Sequence, residues 1–274
     1  MITADFHVHS DFSSDGKAPM EEMVEQAIRL GLKKLCFTDH IDYDYPKQPE
    51  GYTYTFDPVK YTKKLEELKT RYEGKLEILT GIELGLQPHL KERLTALTQS
   101  YPFDFFIGSS HVADHLDPYL PQYWEGTTVE DGIRRYFEAI LKNLKSFTDF
   151  CVYGHIDYII RYIPGQAQAA EKISYSYRDY ADILDEVLKT IIHLGKGIEI
   201  NSSGLKYGLK YAHPQPEVLK RYKELGGEII TIGSDAHRPE HLAYDFDLIP
   251  DILKDAGFRY YTTFTQQKPV FEKL

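Results

Sequence analysis

Short β-branched or aromatic runs alternate with helical patterns along nearly the whole chain, and this alternation constrains the fold more than any other feature. Strand candidates lie at residues 2–7, 34–38, 76–84, 103–109, 150–154, 197–201 and 228–233, with a further one at 259–264. The helices between them carry punctuation. Pro19 can take a first helical position, Met20, Met23, Val24, Ala27 and Ile28 recur at spacings of three and four, and Gly31 supplies a stop. Asp57-Pro58 opens a second helix on which Tyr61, Leu65 and Leu68 share a face, and Thr128 caps a third carried by Ile133, Phe137, Ile140 and Leu144. Later helices follow around 180–191, 216–225 and 249–256.

An order of this kind implies a parallel sheet with helices outside it, and seven or eight repeats are enough to close a barrel. We expect an α/β barrel formed as a single domain over residues 1–274. An open doubly wound sheet is the alternative, but no Gly-x-Gly-x-x-Gly follows any strand candidate. The segments 45–51 and 162–165, which contain Pro and Gly, read as long mouth loops and not as domain linkers.

Composition narrows the setting. The 274 residues are 42% hydrophobic and 14% aromatic, enough apolar surface to offset the ordering entropy of a folded chain. A formal charge of −10 argues against a nucleic-acid-coating surface. Neither an export signal nor a run of about 20 apolar residues is visible, so a soluble, cytoplasmic protein without membrane contact is expected. Cys36 and Cys151 each sit in an apolar run and read as buried free thiols. The 22 tyrosines read mostly as helix and strand surface, while the loop 112–127, with Tyr119, Tyr123 and Trp124, is long enough to cover a substrate ring. Nothing in the sequence indicates an oligomeric state.

The histidines and carboxylates gather at the ends of the strand candidates. Asp5-Phe6-His7-Val8-His9 places two imidazoles on one face of a strand, where they can grip one metal ion. The next ends read Thr38-Asp39-His40, Gly81-Ile82-Glu83, Ser109-Ser110-His111, Gly154-His155-Ile156-Asp157, Glu199-Ile200-Asn201 and Ser234-Asp235-Ala236-His237. A lone strand-end histidine is more often a hydrogen-bonded structural residue than a ligand. His7, His9, His40, Glu83, His111, His155, Asp235 and His237 at one mouth together require compensating cations, and a multinuclear site is expected. His89, His115, His193, His213 and His241 fall outside the pattern and read as surface or capping residues.

This series of motifs resembles the polymerase and histidinol phosphatase (PHP) superfamily over nearly the full chain. The strings His155-Ile156-Asp157 and Glu199-Ile200-Asn201-Ser202-Ser203-Gly204 are similar to those of its stand-alone histidinol-phosphate phosphatases. The resemblance implies a distorted (β/α)7, TIM-like barrel with two or three divalent ions, zinc, manganese or iron, at the C-terminal mouth. By that likeness His7, His9, Glu83 and Asp235 would hold one ion, and Glu83, His111 and His155 a second, with Glu83 bridging. His40 and His237 would hold the third, with Asp15 standing where relatives offer a histidine; alternatively Asp15 is only a turn residue before Gly16.

The implied activity is metal-dependent hydrolysis of a small phosphomonoester, with histidinol phosphate as the first candidate. Arg161, six residues after His155, is the candidate phosphate clamp, against a plain surface salt bridge. Lys206 is a second cation, and Asp157 would orient Arg161 or protonate the leaving oxygen. Asp5 reads as an acceptor behind the ligands and not as a ligand. Three alternatives share parts of this pattern: a phosphotyrosine-protein phosphatase, a PHP-type exonuclease, and a non-catalytic metal-dependent binding module. Net charge and the acidic loop residues Asp42, Asp44 and Glu50 count against the exonuclease.

Overall fold

The structure is a computed structural model that describes residues 2–47, 51–166, 168–169 and 171–274. Glu50 and the adjoining part of the expected loop 45–51 lie outside the described residues. Strand β1 (Ala4–Val8) leads to helix α1 (Met20–Arg29), β2 (Lys34–Phe37), the short β3 (His40–Ile41), α2 (Pro58–Arg71) and β4 (Glu77–Gly85). Helix α3 (Lys91–Ser100), β5 (Phe105–Ser109), the one-turn α4 (Pro121–Trp124), α5 (Val129–Ser146) and β6 (Val152–Tyr153) follow. The remainder is α6 (Ala181–His193), β7 (Gly197–Asn201), α7 (Ser203–Lys206), α8 (Pro216–Glu224), β8 (Ile230–Gly233), α9 (Ile249–Asp255), β9 (Tyr260–Thr265) and β10 (Lys268–Lys273).

The helix punctuation works as its chemistry requires. Asp57 accepts hydrogen bonds from Val59 N and Lys60 N, Thr128 Oγ1 accepts from Asp131 N, and Gly31 stands at φ +78° just beyond α1. Met20, Met23, Val24 and Ala27 bury one face of α1, and Tyr61, Leu65 and Leu68 that of α2.

The sheet is parallel in the order β1-β2-β4-β5-β6-β7-β8, with β3 continuing the β2 position along β4. The ring closes between β8 and β1, where Asp235 N donates to His7 O at 2.8 Å and His9 N donates to Ala236 O at 2.9 Å. The result is a seven-position α/β barrel, distorted by the break between β2 and β3, a register shift of β1 on β2, and the two-residue β6.

The eighth strand candidate is not a barrel strand. Residues of β9 pair antiparallel with β10 in a separate hairpin turned at Gln266 and Gln267, both at positive φ. The hairpin packs against the N-terminal ends of the barrel strands: Ile230 N donates to Thr262 Oγ1, Lys34 Nζ to Thr263 Oγ1, and Gln267 N to Asp104 O. Phe264 packs on Phe105 at a tilt, with ring centroids 5.1 Å apart, and Phe105 meets Phe6 edge-on at 5.2 Å. Cys36 and Cys151 are buried free thiols. Among the described residues no helix is long and apolar enough to cross a membrane.

Candidate metal centre

Parallel strands all end on the same side, so the barrel converts a scatter of sequence positions into one cluster. Around the C-terminal mouth stand His7 and His9 from β1, His40 from β3, Glu83 from β4 and His111 beyond β5. His155 beyond β6 and Asp235 and His237 beyond β8 complete the ring, and all but the half-buried His237 are buried. Four overlapping groups bring donor atoms within coordinating reach of one another: His7, His9 and Asp235; His7, Glu83 and His155; His40, Glu83 and His111; and His9, His40 and His237. The grouping differs from the one the family resemblance suggests, because His7 joins Glu83 and His155, and His40 joins Glu83 and His111. Asp15 Oδ2 lies 3.3 Å from His237 Nε2 and 3.8 Å from His40 Nε2, at the outer edge of the cluster.

The donors fit divalent cations on their own terms. His7 Nε2, His9 Nε2, His40 Nδ1 and Glu83 Oε2 are buried and make no hydrogen bond, although Glu83 Oε2 is 3.2 Å from His7 Nε2, 3.6 Å from His9 Nε2 and 3.0 Å from His40 Nδ1. Buried polar atoms left in this state are costly unless a cation lies among them. Burial opposes ionisation of Glu83, yet His7, His111 and His40 hold its carboxyl well below the ordinary range, so it faces them as an anion.

A second layer fixes which nitrogen each imidazole presents. His7 Nδ1 is 2.6 Å from Glu199 Oε1, leaving Nε2 for the cluster, and His111 Nδ1 is 2.7 Å from Asp42 Oδ1. Glycines make room for both carboxylates. A Cβ on Gly233 would lie 2.2 Å from Glu199 Oε1, and one on Gly85 would lie 2.0 Å from Asp42 Oδ1. Asp5 behaves as the acceptor the sequence suggests, binding Ser234 N, Ser234 Oγ and Ala243 N. Burial nonetheless pushes its carboxyl up to about 6. Asp235 itself sits at φ +53°, a left-handed conformation held by its backbone bond to β1.

The cluster floors a cavity of about 460 Å³ whose walls include Arg161, Lys206, Tyr45, Tyr54, Tyr158, Tyr162 and Tyr207. Arg161 is not a surface residue. Its side chain is 6% exposed, Nη2 lies 2.9 Å from Asp235 Oδ2 and 3.0 Å from Ser203 Oγ, and the guanidinium stacks over Tyr207 at 4.2 Å. Lys206 Nζ donates to Asp235 O at 3.1 Å; burial brings its ammonium down to about 8, with Asp235 opposing and Arg161 adding to the shift.

Asp157 corrects the sequence reading. Its Oδ1 pairs with His213 Nδ1 and its Oδ2 accepts from Gln215 N at 2.9 Å and Tyr175 OH at 3.1 Å. The carboxylate is fully buried and does not line the cavity, so it makes no direct bond to Arg161 and does not reach a leaving oxygen. His213 is likewise buried, not a surface or capping residue, and His241 lines the cavity. His89, His115 and His193 are exposed. Loop 112–127 does not itself line the cavity: Tyr123 OH donates to Gly132 O and Trp124 Nε1 to Pro118 O, while Tyr119 meets the wall residue Tyr162 edge-on at 5.7 Å from outside. The tyrosines that do line it come from other segments. The sequence places Glu199 at a strand end and Asp42 in an acidic loop without pairing either with a candidate ligand. The structure sets Glu199 against His7 and Asp42 against His111, with Glu199 two positions from Asn201 and Asp42 two from His40 in strand alternation.

Comparison with known proteins agrees with this geometry. The PHP domain matches residues 5–203. Histidinol-phosphatase of Lactococcus lactis is 29% identical over 98% of this chain and 96% of its own length, and a probable histidinol-phosphatase of Clostridium acetobutylicum is 32% identical over 88% and 89%. The crystal structure of the Lactococcus lactis histidinol phosphate phosphatase, complexed with zinc, L-histidinol and phosphate, superimposes with a TM-score of 0.85 at 28% identity, covering 98% of each chain. The barrel, the strand-end donor set and these matches make the chain a member of the PHP domain family.

Proposed function

We propose that this protein is a metal-dependent phosphomonoesterase that hydrolyses L-histidinol phosphate to L-histidinol and inorganic phosphate, as one domain over residues 1–274 and as a cytoplasmic enzyme of histidine biosynthesis. The observation that carries the reading is the meeting, in one cavity, of an anion-seeking pair, Arg161 and Lys206, with a buried multinuclear donor set. The likeness to relatives named for this activity, including one whose structure contains zinc, histidinol and phosphate, supports the choice of substrate.

Two to three ions match the number of donor groups. His7, His9 and Asp235 would hold one, Glu83 with His155, His40 and His111 would serve a second, and His237 with His40 and Asp15 would serve a third. Zinc is favoured by the Lactococcus lactis relative, and manganese or iron suits the same mixture of imidazole and carboxylate. Such ions supply charge neutralisation at phosphoryl oxygens and a water acidic enough to attack near neutral pH.

The chain's own residues do the remainder. Arg161 retains donors for an anion, since Nε has no hydrogen-bonding partner and Nη1 makes only a 3.5 Å contact with Asp235. Lys206 adds a second positive charge beside it. Tyr45, Tyr54, Tyr158 and Tyr162 narrow the mouth, limit water and offer ring faces to an imidazole. Asp157, through His213, Tyr175 and Gln215, anchors the start of the turn that carries Tyr158 and Arg161.

The test is a comparison of kcat/KM for histidinol phosphate, other small phosphomonoesters, a phosphotyrosine peptide and single-stranded DNA, with metal-loaded protein. Histidinol phosphate is expected to lead by about 100-fold or more, the scale on which pocket shape alone discriminates. Preference for the peptide or for DNA overturns the assignment.

A further inference from the structure

Glu199 and Asn201 of β7 and Ser203 just beyond it form a continuous hydrogen-bonded path between a candidate metal ligand and the candidate phosphate clamp. His7 Nδ1 lies 2.6 Å from Glu199 Oε1. On the other oxygen of the same carboxylate, Asn201 Nδ2 donates to Glu199 Oε2 at 3.1 Å. Asn201 Oδ1 accepts from both Ser203 N, at 3.0 Å, and Ser203 Oγ, at 2.5 Å. Ser203 Oγ in turn accepts from Arg161 Nη2 at 3.0 Å. Glu199, Asn201 and Ser203 are all buried, so water does not compete for these bonds.

The path has a direction imposed by chemistry. An amide offers one acceptor and one donor end, and the backbone N–H of Ser203 can only donate, so the oxygen of Asn201 must face Ser203 and its nitrogen Glu199. A serine hydroxyl has one proton. Asn201 Oδ1 at 2.5 Å takes it in preference to Asp235 Oδ2 at 3.3 Å, which leaves the Ser203 lone pairs for the guanidinium. Arg161 is otherwise held by Asp235 Oδ2, whose other oxygen faces His9 Nε2 at 3.4 Å. Were an anion to draw the guanidinium from Asp235, the Ser203 hydroxyl would remain as its hydrogen-bonding partner, beside the Tyr207 ring at 4.2 Å.

We propose that Asn201 and Ser203 are positioning residues that aim Arg161 at the phosphate group and tie it to the His7–Glu199 pair, so that one strand end sets both anion binding and the order of a metal ligand. The proposal rests on the phosphate reading above, but its test does not require turnover of histidinol phosphate.

The probe is inorganic phosphate, titrated calorimetrically into zinc-loaded protein, with zinc content measured alongside. Ser203→Ala removes only the hydroxyl, since Asn201 Oδ1 keeps its bond from the residue 203 amide. It should weaken phosphate binding about tenfold, the loss expected for one hydrogen bond to a charged group, with zinc content unchanged. Ser203→Thr, which keeps the hydroxyl, should recover most of the loss. In an Arg161→Ala background Ser203→Ala should have no further effect, because the bond it removes no longer exists. Asn201→Asp sets a second carboxylate against Glu199 and should weaken both phosphate and zinc binding. Wild-type phosphate affinity in Ser203→Ala, or the same tenfold loss in the Arg161→Ala background, overturns the relay. If the pattern is found but histidinol phosphate is not hydrolysed, the substrate assignment falls and the relay stands.

Discussion

The two ends of the barrel are built on opposite principles. At the N-terminal end the β9–β10 hairpin closes the strands with apolar contacts, Phe264 on Phe105 and Phe105 on Phe6, and with backbone bonds such as Gln267 N to Asp104 O. At the C-terminal mouth the same strands bury histidines and carboxylates, several with no hydrogen-bonding partner. The first end gains stability by removing apolar surface from water. The second gives up stability to hold charge in a fixed array. Fold and chemistry are thus separated along the barrel axis, and substitutions at the two ends should fail in different ways.

The largest effect is expected at the mouth. Glu83→Ala removes the carboxylate shared by two donor groups and should lower kcat/KM by about 1,000-fold or more, with loss of bound metal by elemental analysis. At the opposite end Phe264→Ala should destabilise the protein by about 3–5 kcal/mol in urea unfolding, while kcat/KM of the folded fraction stays near wild type. A comparable loss of turnover there would break the separation.

Arg161→Ala is next, with about 2–4 kcal/mol lost from kcat/KM and only partial recovery in Arg161→Lys, because an ammonium cannot reproduce the planar fork. Sequence alone suggests that metal content would be untouched. The 2.9 Å contact with Asp235 Oδ2 alters that expectation: metal affinity should shift as well, which a zinc competition titration measures. Glu199→Gln keeps the size of the side chain but weakens its hold on His7, and should reduce metal affinity about 10- to 100-fold. The smallest effect is at His193, exposed at the end of α6, where alanine should change neither turnover nor metal content.

The mouth was legible in the sequence because two periodicities reinforce one another. Alternating elements bring strand ends together, and the strand period of two puts His7 and His9 on one side. The same period reaches Asp42 from His40 and Glu199 from Asn201, so these partners carried a signal that a search confined to metal-ligand spacing overlooks. Asp157 carried none. Its neighbour His155 turns into the mouth, but the chain then enters a tight turn, and the Asp157 carboxylate meets His213, 56 positions further on. The aromatic wall was hidden among many tyrosines, and β10 lacked a glycine turn to announce it, since Gln266 and Gln267 adopt the left-handed conformation themselves.

The central claim is that the mouth works as a multinuclear metal site on a small phosphomonoester. Zinc titrated into chelator-stripped protein, with hydrolysis of histidinol phosphate followed at each addition, tests it most directly. Activity should be absent from the stripped protein, remain low through the first equivalent and rise to its plateau between two and three equivalents. Full activity at one equivalent or fewer, or activity that survives the chelator, would contradict the account.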